Sequence, residues 1–509
     1  MFKGQPKALF ALALANTGER FGYYTMLAVF ALFLRANFGL EAGTAGAIYS
    51  TFLGLVYFMP LFGGMLADKF GYGKMVTIGI SVMFLGYLLL SIPLGSGTVA
   101  MVAMFAALLL ISVGTGLFKG NLQVMVGNLY DSPEYADKRD SAFSLFYMAI
   151  NIGALFAPTA AVEITRYAQE KFGYALNDAY HFAFMVACAA LILSILIYFV
   201  FRPTFRHVEG GKKDAAVKDA APVQELTPAQ TKSRMVALFL VFAVVIFFWM
   251  AFHQNGLTLT YFANEFTEKS AEGFTTMFFS VWNLALVIVA VYAAFSIFQS
   301  ESKNAKAISA LVFIAALAVL VIKYFNISGS KELSAPIFQQ FNPFYVVALT
   351  PVSMAVFGAL AKKGKEPSAP RKIAYGMVIA ALGFAVMAFC SIGLNTPDAQ
   401  AQLAEAGGDL TLVSPYVLIC TYLVLTFAEL FLSPMGISFV SKVAPPKYKG
   451  MMMGCWFVAT AIGNMLVSVG GFLWGGLNLT AVWSVFLVLC LISAIFMFVM
   501  MKRLENATK

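Results

Sequence analysis

The sequence predicts an all-α polytopic membrane protein: fourteen spanning helices, arranged as two six-helix bundles with a two-helix hairpin inserted. Three observations predict it. Only 12% of the 509 residues are charged, while 60% are hydrophobic and mean hydropathy is +0.81; soluble domains carry about 25% charge. The apolar residues run in continuous blocks of about twenty or more, long enough for helices across about 30 Å of hydrocarbon, whereas barrel strands would alternate at every second residue. Finally, basic residues crowd into alternate gaps between the blocks.

The blocks fall at roughly 8–34, 44–67, 74–95, 99–128, 141–163, 180–201, 234–263, 276–298, 305–326, 335–361, 373–393, 411–439, 450–474 and 479–501. An even number of spans leaves both termini on one side. With the N-terminus inside, the inner segments hold 26 of the 34 Lys and Arg residues, and the outer loop 394–410 holds none. The bias toward inner loops fixes the orientation: both termini cytoplasmic. The start, with Lys3 and Lys7 before an apolar stretch, resembles a signal peptide, but the stretch resumes after Arg20 and reaches Leu34. That is too long for a cleavable core, so it reads as a retained first span.

Composition also excludes functions. The net charge of +9 is a topology signal rather than a nucleic-acid footprint, because it follows the loops. Cys188, Cys390, Cys420, Cys455 and Cys490 stand singly in apolar segments, with no CxxC, and indicate neither disulfides nor a metal site. His181, His207 and His253 are too dispersed for a metal cluster.

The longest inner loop, 202–234, reads as a flexible or weakly helical linker and leaves six spans before it and eight after. Six and six is the plan of a major facilitator transporter. The division is then 1–201 for the N-terminal bundle, 202–233 for the linker, 234–263 for the first helix of the second bundle, 264–334 for an inserted transmembrane hairpin, and 335–509 for the rest. The loop GGMLADKFGYGK (63–74) resembles a short loop common in that superfamily; Asp68 there can accept from the next helix N-terminus or a nearby lysine.

Four charges remain inside the hydrocarbon: Glu19, Arg20, Lys119 and Glu429. Each costs about 2.5–3.5 kcal/mol at a helix centre, so together on the order of 10 kcal/mol unless they pair or line a wet cavity. Charges of both signs on different spans mark a substrate or proton path. Helical spacing surrounds them with polar groups. Asn16, Glu19 and Tyr23 share one stripe, with Arg20, Tyr24 and Leu27 on the next. Thr115, Lys119 and Gln123 share a face, as do Tyr147 and Asn151, and Trp249 and His253. Glu429 aligns with Ser433, and Pro434 is expected to break that helix.

Five motifs, in order along the chain, resemble the proton-coupled oligopeptide transporter family. They are ERFGYY (19–24), GTGLFKGN (114–121), FYMAINIG (146–153), FNPF (341–344), and ELFLSPMG (429–436) followed by MMMGCWF (451–457). The resemblance implies a non-enzymatic symporter of the bacterial cytoplasmic membrane, importing di- and tripeptides by alternating access on the proton gradient. It implies no cofactor or metal, no nucleic acid and no obligate protein partner. It also implies that Arg20 and Lys119, with Tyr24 and Tyr57, hold the peptide carboxylate. Glu429, with Asn151 and Asn342, would hold the amino terminus, Trp249, Trp456 and Tyr147 would shape side-chain pockets, and Thr460 is a further substrate-binding candidate. Glu19, His253 and Glu429 are the candidates for proton coupling or gating.

This chain departs from the family pattern. Asn16 stands where a glutamate precedes the ER pair, Leu27 replaces a second arginine, His253 replaces an acid four residues after Trp249, and Gly120 replaces the common proline. Loss of the arginine and the acid together removes a salt bridge that helps close the outer gate. His253, with an ordinary pKa of about 6.5, or Glu429 is then left to carry the proton. Related bacterial chains place the extra helices before the seventh span; here they follow it, and packing outside the bundle is expected. The rival readings are a same-fold transporter of another small anionic or zwitterionic metabolite with altered or no proton coupling, a nutrient-sensing receptor, or a membrane-embedded enzyme. Against the last stands the lack of any nucleophile–base pair, metal cluster or nucleotide loop.

Overall fold

The computed structural model describes residues 4–132, 134–135, 139–210, 226–445 and 448–507. Fourteen helices or helix pairs among them are long and apolar enough to cross a membrane. The first six are α1 (Lys7–Phe38), α2 (Ala42–Phe70), α3 (Tyr72–Ser91), α4 (Thr98–Asn128), α5 (Arg139–Phe172) and α6 (Leu176–Phe201). The seventh span is α7 (Pro228–Phe252) continued by α8 (Thr258–Glu265), followed by α9 (Val281–Gln299) and α10 (Lys303–Phe325). Then come α11 (Phe341–Lys362), α12 (Ala369–Cys390), the short α13 (Pro397–Ala406) and α14 (Tyr416–Val443). The last spans are α15 (Lys449–Met465) with α16 (Ser468–Leu473), and α17 (Leu479–Val499), closed by α18 (Met501–Asn506).

Small residues set the packing within each half, as expected where lipid gives no hydrophobic drive between helices. A Cβ on Gly63 of α2 would lie 2.0 Å from the Gly116 oxygen of α4, and one on Gly79 of α3 would lie 2.7 Å from the Gly114 oxygen. These backbones touch because no side chain separates them. In the first half α1 packs on α5 and α6, and α3 on α4 and α6; in the second α12 packs on α14 and α17, and α7 on α15. The halves meet along two seams, α2 against α15 and α16, and α5 against α11.

α9 and α10 form an antiparallel hairpin, and α9 leans on α11 and α5. Of α10 only Ala316 is buried. The chain leaves and rejoins the second half through a two-residue antiparallel ladder, β1 (Ser270–Ala271) with β2 (Lys331–Glu332). That ladder brings the two ends of the hairpin segment together, so α8 can lead into the 335–340 turn as though nothing intervened.

Several boundaries differ from the sequence reading. α14 continues through position 434 to Val443 rather than breaking there; a spanning helix tolerates the loss of one intrahelical bond when neighbours re-satisfy the freed groups. The seventh span is interrupted at His253–Gly256 and the eleventh bundle span at Leu466–Val467, each by a short tight turn. One side chain mends both breaks: Gln254 Nε2 donates to Met250 O at 3.1 Å and to Val467 O at 3.0 Å. Asp68 accepts from the Tyr72 hydroxyl at 2.6 Å rather than only from a backbone or a lysine. Most of the linker, residues 211–225, lies outside the described residues.

Candidate functional site

The charged stripe of α1 is buried at the centre of the first half. Arg20 donates from Nε and Nη2 to the two Glu19 oxygens, both at 2.5 Å, with Glu19 fully buried and Arg20 2% exposed. The guanidinium lies 4.6 Å from the Tyr23 ring centre, with Tyr24 within electrostatic reach. Adjacent residues of opposite charge thus neutralise one another in a bidentate pair, which answers the cost of burying either.

Lys119 of α4 differs. Its ammonium sits 4.1 Å from the Tyr57 ring centre. It makes no ion pair among the described residues, although Arg20 and Glu19 are within electrostatic reach. The ring quadrupole attracts the ammonium, and this contact uses none of its three N–H donors. Thr115, on the same helical face by spacing, turns instead to α3, where its hydroxyl meets Met83 Sδ at 3.2 Å.

The second half contributes an anion. Glu429 of α14 accepts from Asn342 Nδ2 at 2.8 Å, and Tyr147 of α5, in the other half, lies within electrostatic reach of it. Asn342 also donates to Thr426 Oγ1 at 3.1 Å. Asn151 supports Tyr147 rather than touching Glu429, donating to the Tyr147 carbonyl at 3.0 Å and meeting its side chain. Tyr24, Tyr57 and Tyr147 all lie within electrostatic reach of Glu429. Tyr147 is 43% exposed, and Tyr24, Tyr57, Lys119, Trp249 and Asn342 are half-buried. The structure therefore brings Lys119 of one half and Glu429 of the other to the same phenol: Tyr57 carries the ammonium on its ring face and lies within electrostatic reach of the carboxylate.

Two aromatic residues and one hydroxyl fall differently. Trp249 stacks on His253 at 5.0 Å, and its indole nitrogen is buried without a partner. Trp456 is 3% exposed and packs over Gly436 against Phe242, and Thr460 spends its hydroxyl on the Trp456 carbonyl at 3.0 Å. His253 meets Asn464 Oδ1 of α15 through Nδ1 at 2.5 Å, beside the Tyr57 ring at 6.3 Å.

The end opposite the termini is sealed between the halves, by contacts that sequence reasoning missed. Arg35 of α1 pairs with Glu265 of α8 at 2.5 Å, Trp474 Nε1 donates to the same carboxylate at 2.9 Å, and the guanidinium lies over Tyr261 at 4.7 Å. Gln339 Nε2 donates to Ala28 O, and Thr159 Oγ1 donates to Gln340 Oε1 at 3.0 Å. Thus an inter-half ion pair between the first and seventh spans exists after all, displaced from the Leu27 and His253 positions. Arg35 was legible only as a basic residue near a helix end; its partner is 230 residues away. Asn464 did carry a signal, since it continues the Trp456, Thr460 spacing by one further turn. At the termini end, among the described residues, no extended interface joins α4 to α14.

Two helical bundles that carry opposed charges inside the spans and meet through an ion pair at one end have the architecture of a membrane transporter. Comparison with known proteins names its kind: the chain belongs to the POT family, whose model matches residues 73–227 and 324–470. It is 30% identical over 482 residues to the uncharacterized transporter YclF of Bacillus subtilis, covering 90% of this chain and 86% of that one. It is 27% identical over 479 residues to dipeptide and tripeptide permease B of Xenorhabdus bovienii, covering 91% and 86%. A crystal structure of a peptide transporter POT in complex with alafosfalin matches with a TM-score of 0.74 at 24% identity, covering 100% of this chain and 97% of that one.

Proposed function

We propose that this protein imports di- and tripeptides across a bacterial cytoplasmic membrane by proton symport. The peptide carboxylate goes to Lys119 over Tyr57, and the amino terminus goes to Glu429, held by Asn342 with Tyr147 within reach. Both contacts involve termini that every peptide has, which leaves side chains free to vary. The observation that supports this most is a Lys119 ammonium in one half, without an ion pair among the described residues, and a hydrogen-bonded Glu429 in the other, with Tyr57 beside both. A substrate that bridges them binds both halves at once, and so responds to their relative movement.

Coupling is assigned to the Glu19–Arg20 pair. While Glu19 is ionised, its two bonds occupy Arg20. A proton on Glu19 removes the charge that holds the pair and releases the guanidinium to the peptide carboxylate beside Lys119. With the basic loops inside, the closed Arg35–Glu265 end faces outward and the substrate site opens to the cytoplasm. Uptake of radiolabelled dialanine into proteoliposomes under an imposed inward proton gradient tests the reading; absence of uptake with functional, correctly folded protein would refute it.

A further inference from the structure

The hairpin α9–α10, which the transport cycle above does not use, bears a two-part depression at the end opposite the termini. Its apolar part, about 450 Å³, is lined by Phe274, Phe278, Leu317, Leu320, Tyr324 and Phe344. It runs into a polar part of about 330 Å³ with which it shares Met277 and Asn283. The polar part is lined by Lys323, Lys331, Ser280 and Asn326 among others, and by no acidic residue. Lys323 donates to Asn283 Oδ1 at 3.1 Å and Lys331 to Phe279 O at 2.6 Å. Each ammonium has three donors, so both retain capacity after these bonds. Among the described residues neither is ion-paired, and Glu163, within electrostatic reach of Lys331, is already bound to Arg166 at 2.6 Å.

The flank of the depression is open to the bilayer: Val321 is 52% exposed and Phe325 79% exposed on the outer face of α10. An apolar trough facing hydrocarbon, ending in two cations at the membrane–water boundary, has the polarity profile of a phospholipid, tail to head. We propose that the hairpin and α11 form a binding site for an anionic phospholipid, with one acyl chain between Phe278 and Leu320 and the phosphate between Lys323 and Lys331. The lipid fills the wedge between the hairpin and the second half, and so fixes the angle at which α9 meets α11.

Native mass spectrometry of the purified protein in detergent, titrated separately with phosphatidylglycerol and phosphatidylcholine, tests this independently of transport. The expected result is retention of one phosphatidylglycerol at least about tenfold better than phosphatidylcholine. Lys323→Gln with Lys331→Gln should abolish the preference, and Leu320→Trp should reduce retention of both lipids by filling the trough. Lys303→Gln with Lys306→Gln, at the other end of α10, should change nothing. Equal retention of the two lipids, or an equal loss in the Lys303/Lys306 control, would overturn the site. Unchanged elution of each variant on size exclusion separates lipid loss from misfolding.

Discussion

Arg35 Nη1 and Glu265 Oε1 meet at 2.5 Å across the boundary between the two halves, eight residues past Leu27 on α1 and twelve past His253 on the seventh span. Eight helical residues carry the cation about 12 Å along the axis. The cross-half ion pair therefore lies at the end opposite the termini, away from the Leu27 and His253 positions. Both partners are partly exposed, and Trp474 and Tyr261 hold them in place, so the pair adds to the seal without an isolated buried charge.

Removing this pair should loosen the seal by up to about 1 kcal/mol, a factor of about 5 in the open population. Thr260→Cys in a cysteine-free background reports it through labelling by a membrane-impermeant maleimide. Arg35→Gln should speed labelling by that factor, and the swap Arg35→Glu with Glu265→Arg should restore much of the protection. No change in rate for Arg35→Gln would make the pair decorative.

Glu19→Gln should uncouple transport from the proton. The variant keeps the volume of the carboxyl group but cannot exchange a proton, so Arg20 is left permanently available. Counterflow exchange of labelled dialanine should persist, while gradient-driven uptake falls at least about tenfold and loses its rise at acidic external pH. Retention of the wild-type pH profile would move the coupling role to Glu429 or His253.

Lys119 and the peptide C-terminus should show coupled losses. Lys119→Ala is expected to weaken dialanine binding about ten- to a hundredfold, as for a charge-assisted contact in a shielded cleft. Amidating the peptide C-terminus should cost a similar factor in wild type and little more in the variant. Additive losses would place the carboxylate elsewhere.

His253→Gln should leave gradient-driven uptake within about twofold, because the ring works as a hydrogen-bond partner of Asn464. His253→Ala removes that partner and strands a buried amide, at a cost of about 1–3 kcal/mol, which a lowered melting temperature in detergent would reveal. Loss of coupling in the Gln variant, with melting unchanged, would return the proton to His253.

Neighbouring glycines of α2 should respond oppositely to a methyl group. At Gly63 it would meet the Gly116 backbone, whereas at Gly64 nothing lies within 4 Å. Gly63→Ala should lower melting temperature and folded yield, consistent with about 1–3 kcal/mol of overpacking, and Gly64→Ala should not. Size-exclusion profiles of the two variants give the comparison.

Much of the candidate site is legible in the sequence, because charge inside hydrocarbon is costly wherever the helix sits. Arg20, Lys119 and Glu429 stood out on that ground alone, and helical spacing added Tyr24, Tyr147 and Trp249. What spacing could not give was direction. Thr115 shares a stripe with Lys119 yet faces Met83, and Thr460 folds back on its own helix. Nor did Pro434 end its helix, since sequence carries no record of the neighbours that make an interruption tolerable.

The sequence by itself determined the number of spans and the few charges that need company. These follow from local hydropathy, which needs no partner to act. The tertiary structure alone decided which charge is spent and which is free: Glu19 neutralises Arg20, while Lys119 is left over Tyr57. It also decided that the closing ion pair joins Arg35 to Glu265 and that Gln254 mends two broken helices. Each of these is a contact between side chains and distant backbone whose distance is set by the packing of helices, and packing is not written in any one segment.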